Sequence, residues 1–164
     1  MADPSHLTDG KNWDDARPGH PVRVSPFADH MGFDLVERSD GRAVVECTVV
    51  AAHANTRGIA HGGVMSALMD TACGGAVAYQ PSAEGRPAVT VSLTVTYLHP
   101  AHVGDRLRAV AVRCGAGAGA GAGKESGHTP RTPRTPRTQV SQVQVENQSG
   151  TVLAVGLATL RVVG

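Results

Sequence analysis

Residues 60–79 read AHGGVMSALMDTACGGAVAY, and this stretch decides the architecture of the chain. Its apolar residues cover most of the circumference of a helix, and many of them are small. We therefore predict about four turns of helix over residues 64–79, ended by Pro81. A helix that is apolar all round must be wrapped by other elements. The one charge in this stretch, Asp70, stands near the middle of the helix and needs a reason to be there.

The segments around this helix have the composition of β-strands. Residues 89–97 alternate apolar side chains with Thr and Ser, which is the period of a strand with one buried face. Five more strands are predicted from β-branched runs between turn signals, at residues 33–37, 43–50, 106–113, 140–146 and 152–162. One helix among strands, without a βαβ repeat, predicts an α+β fold in which an antiparallel sheet surrounds a central helix.

Length and composition restrict the class of protein. A chain of 164 residues, 41% hydrophobic and 18% charged, fits one domain that can bury a core. The formal net charge of +1 gives no reason to expect a nucleic-acid partner. No stretch approaches the roughly 20 apolar residues of a membrane span, and the start of the chain is polar without an apolar signal core. We therefore expect a cytoplasmic protein without a membrane span.

Two segments are separable from the core by composition. Residues 1–24 are rich in Pro, Gly, Asp and His, which predicts a flexible N-terminal arm before a domain at 25–164. A Gly/Ala repeat followed by three TPR triplets, at about 115–138, predicts an exposed loop inserted into a hairpin. Its arginines could bind phosphate. A neutral repeat expansion is favoured, because lengthening a surface loop costs only about 0.6 kcal/mol per doubling.

Cysteine and histidine spacing predicts neither a metal site nor a disulfide framework. The cysteines are an odd set without CxxC spacing, so we expect free thiols at Cys47, Cys73 and Cys114. Three further histidines have no metal-ligand spacing and are expected on the surface or in loops: His53, His99 and His102. We expect no metal and no cofactor.

The start of the predicted helix suits a developing negative charge. Gly62 and Gly63 add no side chain, so their N–H groups are open to a ligand where the helix dipole favours an anion. A carbonyl oxygen that becomes an oxyanion fits such a place. Asp70 could then serve as a base or nucleophile. The alternative is a purely structural carboxylate held by Thr71, Asn55 or backbone groups.

The spacing of these groups constrains the assembly. Gly62 and Asp70 are eight residues apart, which is about 12 Å along a helix axis. A donor and a base must both lie within about 3 to 3.5 Å of one reacting group. One chain cannot meet this condition, whereas a two-fold dimer with antiparallel helices can. We therefore predict an obligate homodimer.

The residues also carry a family resemblance. HANTRGIAHGGVMSALMDTA, then VTVSLTVTYLHPAHVGDRL, and finally GTVLAVGLATLRV resemble the hotdog-fold acyl-CoA thioesterases of the phenylacetic-acid-degradation type. The match covers about residues 27–113 and 139–162. It implies a sheet wrapped around a long central helix, dimers that usually pair into tetramers, and hydrolysis of an acyl-CoA substrate to a carboxylic acid and free CoA.

The resemblance implies roles for the residues at the helix. The oxyanion donor falls on the amide of Gly62, with Gly63 beside it at the helix start. The histidine of the motif falls on His61, where it would orient the loop or the substrate. The acidic catalytic residue, general base or nucleophile, falls on Asp70 of the partner subunit.

Other implied positions lie outside the helix. The asparagine that helps to place water or the thioester falls on Asn55, and a hydroxyl position on the following strand falls on Thr90. The pantetheine arm would lie along the subunit interface. Arg57 and Arg106 are candidates for contact with the CoA phosphates.

Three alternatives stay open. An enoyl-CoA hydratase of the same fold would need an Asp and His pair close in sequence after a loop, and no such pair stands near the helix. A non-catalytic acyl-CoA-binding protein would keep the pocket and lose the acid, whereas Asp70 is present. A structural oligomer would use Asp70 only to tie the helix down.

Overall fold

A computed structural model of the chain describes residues 25–78, 87–115 and 137–163. The expected N-terminal arm at 1–24 and most of the expected insert at 115–138 lie outside the described residues. Within the described ranges, six strands form one sheet against a single long helix. The predicted antiparallel sheet with one central helix is confirmed.

The elements follow the predicted order, and each predicted strand end lies within two residues of the observed one. They are α1 (Pro26–His30), β1 (Asp34–Ser39), β2 (Arg42–Thr48), a 3₁₀ turn (Ala51–His53), α2 (Gly62–Ala78), β3 (Ala88–Tyr97), β4 (Arg106–Arg113), β5 (Thr138–Asn147) and β6 (Val152–Val162). The sequence analysis missed α1, although Ser25 caps it and Pro26 follows in its first turn, which are ordinary start signals. Helix α2 begins two residues earlier than predicted, so both glycines belong to its first turn.

The strand order across the sheet is β1-β2-β4-β5-β6-β3, and every neighbouring pair is antiparallel. β4 and β5 pair from Leu107↔Asn147 to Arg113↔Ser141. β4 and β5 are thus consecutive antiparallel strands, and the segment between them lies mostly outside the described residues. β1 and β3 are the two edge strands; β1 carries charged side chains, whereas β3 carries none.

The sheet packs against α2. Buried side chains of α2 face the sheet, among them Leu68, Met69 and Ala72. Asp70 and Gly74 are only half-buried. All six strands contact α2, which agrees with the expected sheet around a central helix.

Strand β3 departs from strict alternation. Val89 and Val91, predicted on the buried face, are 50% and 64% exposed. The pairing with β6 shifts register between Thr90 and Ser92. An extra residue at such a bulge reverses which face the following side chains occupy. Thr90 therefore lies on the same side as Leu93, which packs against the core next to α2.

Two of the three cysteines, Cys47 and Cys73, are buried in the core. Burial, with the charge of Asp34 as a smaller cause, raises the pKa of Cys47 to about 11. Burial also raises the pKa of Cys73 to about 12, with a smaller contribution from Asp70. Cys114 is exposed, and all three thiols are free. No helix within the described ranges is long and apolar enough to cross a membrane.

Candidate functional site

The loop that leads into α2 is held by main-chain contacts. Ala54 and Ala60 form an antiparallel bridge that closes the loop, and the Ala60 N–H donates to the Ala101 carbonyl at 2.9 Å. The His61 N–H donates to the carbonyl of His53 at 2.8 Å. His53 was expected on the surface or in a loop; it lies in the 3₁₀ turn but is buried, and its ring Nδ1 accepts the Val50 N–H at 3.3 Å. The sequence gives no sign of this contact, which the 3₁₀ turn creates.

His61 caps the helix with its ring and with its carbonyl. Its Nδ1 accepts the N–H of Gly63 at 2.9 Å, and its carbonyl accepts the N–H of Val64 at 2.9 Å. The N–H groups of a first helical turn have no acceptor within the helix. Of the two glycine amides, the Gly62 N–H is the one that His61 does not engage. It stands at the positive end of the helix dipole, where a negative charge is stabilised.

Each glycine of the pair makes room for an aromatic ring. A Cβ on Gly62 would stand 3.1 Å from Cζ of Tyr97, and a Cβ on Gly63 would stand 2.9 Å from Nδ1 of His61. Contacts this short require the ring to move away. The two glycines therefore let the rings of Tyr97 and His61 lie directly against the backbone of the first turn.

Tyr97 is a residue of this site that the sequence analysis placed only among buried strand positions. It ends β3, is 48% exposed, and donates its hydroxyl proton to the Gly62 carbonyl at 2.9 Å. The Ser66 hydroxyl lies 2.5 Å from the same phenol oxygen. Because the phenol has one proton and gives it to Gly62, Ser66 is the donor in that second bond. An aromatic residue that ends a Thr-rich strand was the only signal in the sequence.

Asp70 has a partner on β3. The hydroxyl of Thr90 donates to Oδ1 of Asp70 at 2.6 Å. Thr71, a candidate structural partner, instead donates its hydroxyl to the Ala67 carbonyl within the helix at 2.8 Å. The sequence analysis singled out Asp70, two turns into α2, and Thr90, on the following strand. The structure brings these two side chains together.

Asn55 shapes the loop before the helix. Its Oδ1 accepts the N–H of Arg57 at 2.8 Å, and its own N–H donates to the Ile59 carbonyl at 2.8 Å. Asn55 is therefore not the structural partner of Asp70. It belongs to the same closed loop as His61, at the start of α2.

The two candidate phosphate contacts lie near this end of the molecule. Arg57 is exposed in the loop, and a bridge between Ile59 and His102 joins the loop to the chain that leads into β4. Arg106 begins β4, is half-buried, and donates its N–H to Oε1 of Gln148 at 2.9 Å.

The candidate residues form two separate groups on one chain. Asn55, His61 and Gly62 gather at the start of α2, and Asp70 with Thr90 gathers about 12 Å farther along the helix axis. The first group offers an N–H donor in a positive field, and the second offers a carboxylate acceptor. In the part of the chain that the structure describes, no three His, Cys, Asp or Glu side chains are grouped to hold a metal ion.

A family model and a curated relative that match this chain both describe thioesterases. A family model described as the thioesterase superfamily matches residues 57–112. The acyl-coenzyme A thioesterase PaaI of Escherichia coli K12 is 37% identical over 81 residues, which are 49% of this chain and 55% of that protein. The chain thus matches about half the length of this curated relative.

Solved structures extend the similarity over most of the fold. The PaaI protein from the phenylacetic acid degradation operon of E. coli has a TM-score of 0.67 and 26% identity, covering 85% of this chain and 86% of that one. A Streptococcus mutans UA159 protein solved with acetyl CoA bound has a TM-score of 0.62 and 28% identity, covering 90% and 98%. The sheet and helix described above are therefore shared with these proteins over nearly their whole length.

Proposed function

We propose that the chain is a hotdog-fold member of the thioesterase superfamily and that it hydrolyses an acyl-CoA thioester to a carboxylic acid and free CoA; its similarity to this superfamily and to PaaI supports the proposal. The observation that carries this proposal is the pairing of an N–H donor at the helix start with a hydroxyl-bound carboxylate on the same helix. Acyl transfer to water needs both kinds of group.

The donor acts on the thioester carbonyl. That carbonyl oxygen lies against the Gly62 N–H, and negative charge develops on it as the tetrahedral intermediate forms. The helix dipole and the N–H stabilise this charge more than they stabilise the neutral ester. Gly63 contributes by leaving space for the His61 ring, which fixes the first turn. Asn55 shapes the loop that carries the donor and helps to place the water or the thioester.

The acid acts on the other side of the carbonyl carbon. Asp70 either removes a proton from the attacking water or attacks the carbon itself to give a mixed anhydride, which water then hydrolyses. In both routes CoA leaves as a thiolate. The Thr90 hydroxyl, which donates to Oδ1, orients the carboxylate so that its other oxygen faces the reacting group.

A second copy of the chain completes the site. The donor of one protomer would meet Asp70 of the partner subunit, since about 12 Å along the helix axis separates the two groups on one chain. β3 supports this assembly, because it is an edge strand of ten residues without a charged side chain. An edge strand of this kind is a template for pairing with another strand. The dimers would pair further into tetramers, and CoA would lie along the dimer interface with its phosphates near Arg57 or Arg106.

The deciding experiment measures thiol release from a panel of esters, acetyl-, hexanoyl-, palmitoyl- and phenylacetyl-CoA, by wild type and Asp70→Asn. Removing the acid should lower kcat at least about 100-fold, because a positioned base contributes a factor of this order. Asp40→Asn is the matched control. Asp40 pairs with Arg113 near the opposite edge, so its loss should leave kcat unchanged.

The same panel separates the alternatives. Protection against thermal unfolding by CoA esters without thiol release would favour a non-catalytic binding protein. Hydration of an enoyl-CoA ester without thiol release would favour a hydratase. A protein that gains no thermal stability from any ester would be a structural oligomer, and the proposal would fail.

Mixed dimers test the shared site. Gly62→Ala disables the donor, because its Cβ would meet Tyr97, and Asp70→Asn disables the acid. If each site uses one protomer's donor and the other's acid, random mixing restores one intact site in each mixed dimer. Activity should then recover to about a quarter of the wild-type value. No recovery above the sum of the two variants alone would mean that each site lies within one chain.

A further inference from the structure

The peptide group between Gly62 and Gly63 is held at both of its ends. Its carbonyl accepts the Tyr97 hydroxyl proton at 2.9 Å, and its N–H donates to Nδ1 of His61 at 2.9 Å. The two rings come from different elements, since Tyr97 ends β3 and His61 precedes α2. One peptide plane is therefore fixed by a residue before the helix and by a strand that follows it in sequence.

Such a clamp matters because of the residues that it holds. Two consecutive glycines have the greatest backbone freedom of any pair, and they stand in the first turn of a helix, where intrahelical bonds are fewest. An oxyanion donor must keep its direction to within about 10–20° to act on the developing charge. Without outside contacts, the Gly62 N–H would sample a wider range of directions.

Ser66 makes a second contact with the Tyr97 hydroxyl. Its hydroxyl lies 2.5 Å from the phenol oxygen and donates to it, which leaves the Tyr97 proton for the Gly62 carbonyl. The ring itself packs on the Gly62 backbone so closely that a Cβ there would stand 3.1 Å from Cζ. Both the ring and the hydroxyl of Tyr97 therefore act on the one residue that carries the donor.

We propose that Tyr97 is a positioning residue that, together with His61, clamps the Gly62–Gly63 peptide group and so anchors Gly62. The Gly62 N–H belongs to the preceding peptide group, whose His61 carbonyl accepts the Val64 N–H at 2.9 Å, and with Gly62 anchored on both sides this N–H stays aimed at the thioester oxygen. This role rests on the proposed thioesterase function. Tyr97 acts through Gly62 and not by contact with the reacting atoms. Its effect is thus on the rate of the chemical step and not on the affinity for CoA.

The test compares Tyr97→Phe with Thr96→Val, a control that removes a neighbouring exposed hydroxyl from the same strand. Tyr97→Phe keeps the ring against Gly62 and removes one neutral hydrogen bond. We expect kcat to fall about 3- to 10-fold with KM unchanged, and binding of a CoA thioether that lacks the carbonyl to stay at the wild-type level. Thr96→Val should leave all three quantities unchanged.

A second measurement does not depend on turnover. Amide hydrogen exchange, followed by NMR on ¹⁵N-labelled protein, should be at least about threefold faster at Gly63 in Tyr97→Phe, because a freed peptide group opens more often. Wild-type kcat in Tyr97→Phe, a rise in KM alone, or unchanged exchange at Gly63 would each overturn the clamp. If the wild type releases no thiol from any ester, the proposed function fails, and the exchange measurement still decides on the clamp.

Discussion

The sheet has two edge strands, and their side chains differ in charge and in what they give to the helix. β1, DLVERS, carries three charged side chains in six residues, and its Arg38 donates from Nε to the Gly75 carbonyl of α2 at 3.1 Å. β3, AVTVSLTVTY, carries none, and gives α2 two hydroxyl contacts, from Thr90 and Tyr97. Charged side chains protect an edge from further strand pairing. The comparison indicates that the charged β1 ends the sheet, whereas β3 contacts the candidate site and is the edge at which we propose that a second copy pairs.

The largest change in stability should come from adding one methyl group at Gly156 of β6, the strand that pairs with β3. A Cβ on Gly156 of β6 would stand 2.7 Å from the backbone oxygen of Thr94 on β3 and 2.7 Å from Cε of Met69 on α2, so Gly156→Ala must push β3 away from β6 and displace the Met69 side chain. On the β1 side, a Cβ on Gly75 would stand 3.0 Å from the Ala43 Cβ, a milder conflict. We expect Gly156→Ala to lower the free energy of unfolding by about 3 kcal/mol and Gly75→Ala by about 1 kcal/mol.

Urea unfolding measures both changes, and Gly74→Ala supplies the control. A Cβ on Gly74 would meet nothing within 4 Å among the residues that the structure describes, so alanine there should raise the free energy of unfolding by up to about 1 kcal/mol. Equal losses for Gly156→Ala and Gly75→Ala would mean that the two edges pack on the helix equally closely.

The next effect concerns assembly. Val91 on β3 is 64% exposed and Val36 on β1 is 40% exposed. A lysine on a pairing edge opposes strand addition, so Val91→Lys should weaken the dimer at least about 10-fold, whereas Val36→Lys should not. Sedimentation over a range of protein concentrations gives the dissociation constants. A dimer weakened by Val36→Lys alone would move the interface to the other edge.

A smaller effect separates the helix contacts of the two edges. Thr90→Val removes the hydroxyl that holds Asp70, and should lower kcat about 3- to 10-fold while unfolding changes little. Arg38→Met removes a contact at the half-exposed Gly75 carbonyl, and should change stability by less than about 1 kcal/mol with kcat unchanged. Thiol-release kinetics beside thermal melts distinguish these outcomes. Lower kcat in Arg38→Met would mean that β1 also serves the site.

The smallest effect concerns the thiols and their dependence on pH. Burial raises the pKa of Cys73 to about 12 and of Cys47, beside β1, to about 11, from an ordinary value of 9.0. At pH 8 a disulfide reagent should therefore modify Cys114 quickly and the other two only as the fold opens. Above pH 9 the unfolded thiols ionise while the buried ones stay protonated, so the free energy of unfolding should fall as pH rises towards these pKa values.

Hydrophobic period and turn residues were sufficient to predict the strand order along the chain and the central helix. The strands at 106–113 and 152–162 have the predicted bounds, because both lie between clear turn residues. The acid and the His-Gly-Gly start of α2 could also be identified, since a lone charge in an apolar helix and a glycine pair at its start are local patterns.

The parts that could not be predicted depend on contacts between distant segments. The bulge between Thr90 and Ser92 exists because β3 pairs with Leu160 and Thr159 of β6, about seventy residues later. That bulge turns Thr90 towards Asp70, and strict alternation in the sequence gives no sign of it. The contact of Tyr97 with Gly62 likewise depends on where the end of β3 meets the start of α2.

The hairpin of β4 and β5 is closed before the Gly/Ala and TPR segment begins. Arg113 pairs with Ser141, and the Cys114 N–H donates to the Val140 carbonyl at 2.7 Å. The sheet therefore does not rely on residues 116–136 to join its two halves in register. Shortening that segment should therefore leave the register of β4 and β5, and with it the free energy of unfolding of the domain, nearly unchanged.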